Sequence, residues 1–382
     1  MRLSNMADYA VVVMGAAARH CGGVRTSATA LSEETGIALP TVQKLVSLET
    51  ARANPTPIVW SPTEILQPAK TGLQVLESFP IETLREWIDW SPFFHAWGLR
   101  GVFPKIFDNP LVGRQARELH ADALKLLDRI ASEGLLTAKA VYGIFPANAV
   151  GDDVELYADE GRTQPLARFH FLRQQLERRE GEWNQSLADF VAPQATGLPD
   201  HLGAFAVSSG FGLKAMVERY KQEMDDYGMI LAEAVADRLA EAFAEYLHAR
   251  VRAEWGIREN LTVAQCIAEE FQGIRPAAGY PACPDHSEKQ ILWQLLEVEK
   301  RTGILLTESG AMWPGSSISG LYFAHPRSRY FGLGKIDRDQ IRDYHVRKGM
   351  PLEEVERWLA MNLNYEPGSA EVPVACGCGI RH

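Results

Sequence analysis

Residues 275–286 read Arg-Pro-Ala-Ala-Gly-Tyr-Pro-Ala-Cys-Pro-Asp-His. Three prolines and a glycine in so short a stretch exclude a regular helix or a central strand. A stiff, extended loop is expected, its backbone groups pointing outward and Gly279 letting a ligand come close. Arg275 opens the loop, and a guanidinium so placed suits two-point capture of a carboxylate or phosphate. The residue types alone describe a rigid loop for a small anion-bearing molecule.

Other chemistry-bearing residues give weaker patterns. Cys283 and His286 form a lone Cys-x-x-His, far short of the four ligands of a zinc site, and a proline-flanked Cys283 reads as buried. Cys376, Cys378 and His382 could chelate a metal, but a disordered tail over residues 368–382 is the expectation. The run Ser208-Ser209-Gly210-Phe211-Gly212 lacks the spacing of a dinucleotide loop. Asp89 follows a short helix beginning near Pro80. A carboxylate at a helix C-terminus is disfavoured by about 0.3–1 kcal/mol, which favours a nearby cation; a turn-forming Asp before Ser91-Pro92 is the alternative. Glu241 lies three residues after Arg238 on one helix, so an ordinary surface pair competes with any role at a site.

The elements that must position these residues are mixed. Ile81, Leu84 and Ile88 are spaced for one helix face, and residues 231–255 carry a long helical pattern. Strand-like stretches fall at 140–145, 154–157, 202–207, 321–325 and 330–336, with 326–329 as a hairpin connection between the last two. Irregular alternation without a βαβ period points to α+β. The 382 residues are 46% apolar and 23% charged with a net charge of -10, which excludes disorder and argues against coating of nucleic acid. No segment has the length of a bilayer span, and five scattered cysteines fit a reducing cytoplasm.

The loop at 275–286 is similar to the S-adenosylmethionine-binding motif of the activation domain of cobalamin-dependent methionine synthase. The likeness continues in order through Ile88-Asp89-Trp90-Ser91-Pro92, Phe145-Pro146-Ala147-Asn148, Leu187-Ala188-Asp189-Phe190, Ala236-Asp237-Arg238-Leu239-Ala240-Glu241, Leu296-Glu297-Val298-Glu299-Lys300, Tyr322-Phe323-Ala324-His325-Pro326 and Val355-Glu356-Arg357-Trp358. It implies an activation domain over 54–367, with helices around a twisted, largely antiparallel sheet. It implies that Arg275 grips the carboxylate of S-adenosylmethionine, that Ala277 and Tyr280 give backbone contacts, and that Asp89 accepts from the ligand's cationic end. Tyr330 and Phe331 stand where the family has a Tyr-Tyr pair, so one hydroxyl is missing. Glu241 and Glu269 are acids in matching segments.

The implied activity is reductive methylation of cob(II)alamin by S-adenosylmethionine, reactivating methionine synthase. The Asp-x-His-x-x-Gly signature of cobalamin-ligating modules does not occur, and the length leaves no room for homocysteine, folate or cobalamin modules. The expectation is an activation subunit working in trans on a separate cobalamin-bearing chain, with electrons from a flavodoxin-like or other reductase. It would not be a complete methionine synthase.

Residues 1–53 read as a small all-α head with helix-turn-helix spacing, Gly36 in the turn and Pro40 opening a second helix over 40–46. The head resembles the start of iron–sulphur-responsive winged-helix repressors through Met1-Arg2-Leu3-Ser4, Ala7-Asp8-Tyr9-Ala10 and Leu39-Pro40-Thr41-Val42-Gln43-Lys44-Leu45-Val46. The wing and cysteine cluster have no counterpart, and five Lys/Arg against four acids give little charge for DNA. A helical appendage is the first reading; an S-adenosylmethionine-responsive DNA-binding regulator is the second. Asn54 to Pro57 reads as the linker.

Overall fold

The computed structural model describes residues 44–368. Its centre is an antiparallel sheet of six strands: β1 (Gly72–Phe79), β2 (Thr137–Val150), β3 (Asp153–Tyr157), β4 (Pro165–His170), β5 (Asp200–Phe211) and, after a two-stranded ribbon of β6 (Leu305–Leu306) and β7 (Met312–Trp313), β8 (Ser317–Tyr322). The order is β4-β3-β2-β5-β8, and β1 pairs with the first half of β2 while β3 pairs with its last residues. β8 is an edge strand, joined to the sheet only through β5.

Side chains along β2 and its neighbours alternate between two cores, as a period of two requires. Tyr142, Phe205 and Tyr322 turn to the first core, and Val141, Ala204 and Leu321 to the second. With both faces covered, β2 and β5 are buried almost throughout, which explains their near-continuous apolar runs.

Six of the helices among the described residues are α1 (Leu48–Arg52), α2 (Gly113–Glu133), α3 (Leu213–Gln222), α4 (Asp226–Glu254), α5 (Glu288–Leu296) and α6 (Arg338–Lys348). The first core lies under α2 and α4; Asp225 caps α4 by accepting the Gly228 N–H at 2.8 Å, and Val235, Leu239, Phe243 and Leu247 seal it against the sheet. The second lies under α5, through Leu292, Trp293 and Leu296. Full burial of each such side chain contributes about 1.5–3 kcal/mol. A third, small cluster joins α6 to the C-terminal turns through Ile341, Tyr344, Val355 and Leu359.

The expected α+β class and largely antiparallel sheet hold. Two local expectations do not. Residues 330–336 form no strand, because their groups bond sideways: the Leu333 N–H donates to Pro281 at 2.8 Å, and only Ile336 makes a bridge, to Leu363. The turn at 325–328 is present, closed by Ser328 N–H to His325 O at 3.0 Å, but no hairpin follows.

The expected head falls mostly outside the described residues, as do Cys376, Cys378 and the rest of the tail. At the described end of the anticipated 40–46 helix, Lys44 to Val46 are extended: Val46 N–H bonds Gln175 O and Glu177 N–H bonds Lys44 O. The segment read as a linker is pinned to the body. Asn184 and Asn54 exchange backbone and side-chain hydrogen bonds at 2.9 Å, and Arg52 on α1 pairs with Asp152 and Asp343. Among the described residues no helix is long and apolar enough to cross a membrane.

Candidate functional site

The loop 274–283 lies along the free edge of β8. Ile274 and Phe323 exchange both backbone bonds at 3.0 Å, and Leu321 N–H donates to Pro276 O at 2.9 Å. Gly320 makes this approach possible, since a Cβ there would stand 2.8 Å from Pro276 O. Beyond Pro276 the chain tightens into a turn: Gly279 N–H to Cys283 O at 2.7 Å, Cys283 N–H to Tyr280 O at 2.9 Å. The expected extension holds for 274–276 along β8, while 279–283 closes into a turn and its backbone groups are bonded rather than turned outward. An edge strand left bare would be open to adventitious pairing, and here the loop covers it.

Between loop and sheet edge opens a cavity of about 630 Å³. Loop residues Arg275 to Ala278 and Tyr280 to Ala282 form one wall, with Ser317, Ile318 and Ser319 of β8 beneath. Tyr330 and Phe331 stand over it, Glu241 of α4 closes one side, and Lys289 of α5 with Met312 of β7 closes the other. The size is that of a site for a nucleoside-sized ligand.

Arg275, Ala277, Tyr280, Tyr330, Phe331 and Glu241 are thus brought together. The Arg275 guanidinium forks onto Glu245, one turn beyond Glu241, with Nη1 to Oε2 at 3.0 Å and Nη2 to Oε1. Burial opposes the guanidinium charge but Glu245 outweighs it, leaving the Arg275 pKa above its ordinary value. Burial pushes the Glu245 carboxyl up, with Arg275 pulling against it. The Arg275 backbone N–H donates to the Tyr330 hydroxyl at 3.0 Å, so that phenol is anchored to the loop and burial raises its pKa. Tyr280 is 65% exposed at the mouth.

Three expected site residues stand elsewhere. Gly279 is outside the lining: its φ of +95° is a left-handed turn, and the His286 ring comes close, 2.1 Å from a Cβ built there. Asp89 is exposed outside the lining, and its Oδ1 accepts the Ser91 N–H at 2.9 Å, the turn-forming role weighed for it. Its turn packs on α4, where Trp87 meets Tyr246 edge-on with centroids 5.6 Å apart. Glu269 is also outside the lining, exposed at φ +58°, close enough for its charge to raise the Glu245 and Tyr330 pKa values.

Glu245, Lys289 and the β8 floor were not expected from the sequence. Glu245 sits one helical turn from Glu241, the i+4 spacing that carries a site along a helix face, and that signal was there to use. Lys289 gave none, because its place depends on how α5 packs. Cys283 is buried, as its flanking prolines suggested, and burial pushes its thiol pKa up. Among the described residues no group of three or more His, Cys, Asp or Glu could hold a metal.

Fold and cavity together define a small-molecule-binding domain whose site is a loop laid on a sheet edge. Residues 80–349 match the family model described as the activation domain of vitamin B12-dependent methionine synthase. A crystal structure of the MetH reactivation domain bound to AdoHcy is 51% identical, with a TM-score of 0.82, the match covering 84% of this chain and 99% of that one. The chain belongs to the family of vitamin B12-dependent methionine synthase activation domains. Neither match supports the DNA-binding alternative.

Proposed function

We propose that this chain binds S-adenosylmethionine in the cavity over β8 and uses it to support reductive methylation of cobalamin held by a partner domain. The observation that carries the reading is the Arg275–Ala282 loop walling a cavity of about 630 Å³, in a chain 51% identical to a domain crystallised with AdoHcy.

The lining suits the ligand. A guanidinium has five N–H donors, and with one each from Nη1 and Nη2 on Glu245 others remain for the ligand's carboxylate. Glu241, which is in the lining, and Asp89, by the family likeness, are the acids we assign to its ammonium group. Ala277 and Tyr280 offer loop backbone, and Phe331 with Pro276 and Pro281 gives the apolar wall. Gly279 acts from behind by setting the turn, and Glu269 by its charge. Phe331 keeps the packing that a second tyrosine would give and forgoes a hydrogen bond.

Reduced cobalamin supplies the nucleophile that takes the methyl group. The protein's own task is positional: Arg275 and the acids fix one end of the ligand, and the loop wall holds the reacting methyl toward the open mouth and limits water. The partner we assign is a separate cobalamin-bearing methionine synthase chain, with a flavodoxin-like or other reductase as electron source. Calorimetric titration with S-adenosylmethionine and with AdoHcy tests the site. Saturable one-to-one binding that Arg275→Ala weakens supports it, and an affinity unchanged in Arg275→Ala contradicts it.

A further inference from the structure

The cavity crosses the edge of the sheet, and its two sides carry different charges. On the α4 side, over the first core, Arg275 is already neutralised by Glu245. On the α5 side, over the second core, stands Lys289, only 8% exposed. The other buried cations have carboxylate partners: Arg173 holds Asp152 and Asp189, and Arg252 holds Glu259. Among the described residues Lys289 has none. Its Nζ donates to Gly310 O at 2.9 Å and faces His286 Nδ1 at 3.4 Å.

An ammonium has three donors, so one remains. Burying a charge without a counter-ion is costly, and burial lowers the Lys289 pKa. Lys289 lines the cavity, so a ligand there can partner the remaining donor. Two constraints say which part of the ligand that is. The carboxylate is assigned to Arg275 across the sheet edge, and the sulfonium, a cation, is repelled by an ammonium. What is left to face Lys289 is the nucleoside, whose ring nitrogens and ribose oxygens are acceptors.

We propose that Lys289 is a specificity-determining residue that donates its free N–H to the adenosine part of the ligand; this rests on the S-adenosylmethionine reading above. The lysine then selects for a neutral acceptor-bearing group on the α5 side, while Arg275 selects for the amino-acid end on the α4 side.

The test titrates wild type, Lys289→Met and Lys289→Arg with AdoHcy and, by displacement of AdoHcy, with 5′-methylthioadenosine, which keeps the nucleoside and lacks the amino-acid end. Thermal melting of each variant checks folding. Lys289→Met is expected to weaken both ligands by the same factor of about ten or more, and Lys289→Arg, which keeps a charged donor, to recover part of it. A loss confined to AdoHcy would mean that the lysine grips the carboxylate, and an unchanged affinity for both would mean that it binds neither end; either result overturns the inference and leaves the site reading standing. Wild type that fails to bind AdoHcy overturns the site reading itself.

Discussion

The guanidinium of Arg275, at the head of the ligand loop, is held in a two-point ion pair by Glu245 on α4. The pair joins the loop that walls the cavity to the helix that closes its side. Both side chains are largely buried, at 13% and 14% exposure, so neither charge is tolerable alone. His248 sits against the same guanidinium, with Nη1 3.4 Å from its Nδ1.

Arg275→Ala is therefore expected to do two separable things. It leaves Glu245 buried without a counter-ion, costing about 3–5 kcal/mol of stability in chemical denaturation. It also removes a charge-assisted contact to the ligand, costing about 2–5 kcal/mol of affinity in calorimetry. The double change Arg275→Met with Glu245→Met should recover much of the stability and none of the affinity.

Gly279→Ala places a methyl group inside the His286 ring at a left-handed φ. Strain and overlap together should destabilise the protein by about 2–4 kcal/mol. Adding His286→Ala removes the overlap and leaves the strain, so melting temperatures should fall in the order wild type, double variant, Gly279→Ala.

His248 is buried between Tyr322, stacked at 5.1 Å, and Phe271. Burial chiefly, then Arg275 and Arg252, holds its pKa well below the ordinary value of 6.5. In the unfolded chain the ring takes a proton as pH falls through 6.5, and in the folded chain it stays neutral. Its contribution is present above pH 6.5 and is lost below, with a limiting slope of about 1.4 kcal/mol per pH unit. His248→Phe keeps the stacking, and its stability measured by denaturant should fall less than wild type between pH 7 and pH 5.

How far the sequence carried depended on whether a feature was local. The ligand loop was legible because Pro276, Pro281 and Pro284 restrict the backbone wherever the chain goes. The helix ending at Glu254 was legible from period, and the middles of β2 and β5, at 140–145 and 202–207, from their apolar runs. Residues 330–336 were misread because Tyr330, Phe331 and Ile336 have strand-like types, while the Leu333 N–H is spent on Pro281. Asn54 to Pro57 has linker composition, and the distant Glu182, Asn184, Asp189 and Arg327 make it part of the body. Gly279 was legible as special, but its neighbour His286 was not. Lys289 was invisible, since nothing near it in sequence says that α5 will turn it toward β8.

Methyl transfer to cobalamin is tested most directly by one mixture. Purified protein, S-adenosylmethionine with a labelled methyl group, a one-electron reductant and the cognate cob(II)alamin protein are combined, and label on the cobalamin is measured. The account predicts label that depends on all four components and falls with Arg275→Ala. Binding of S-adenosylmethionine with no label reaching the cobalamin would contradict it.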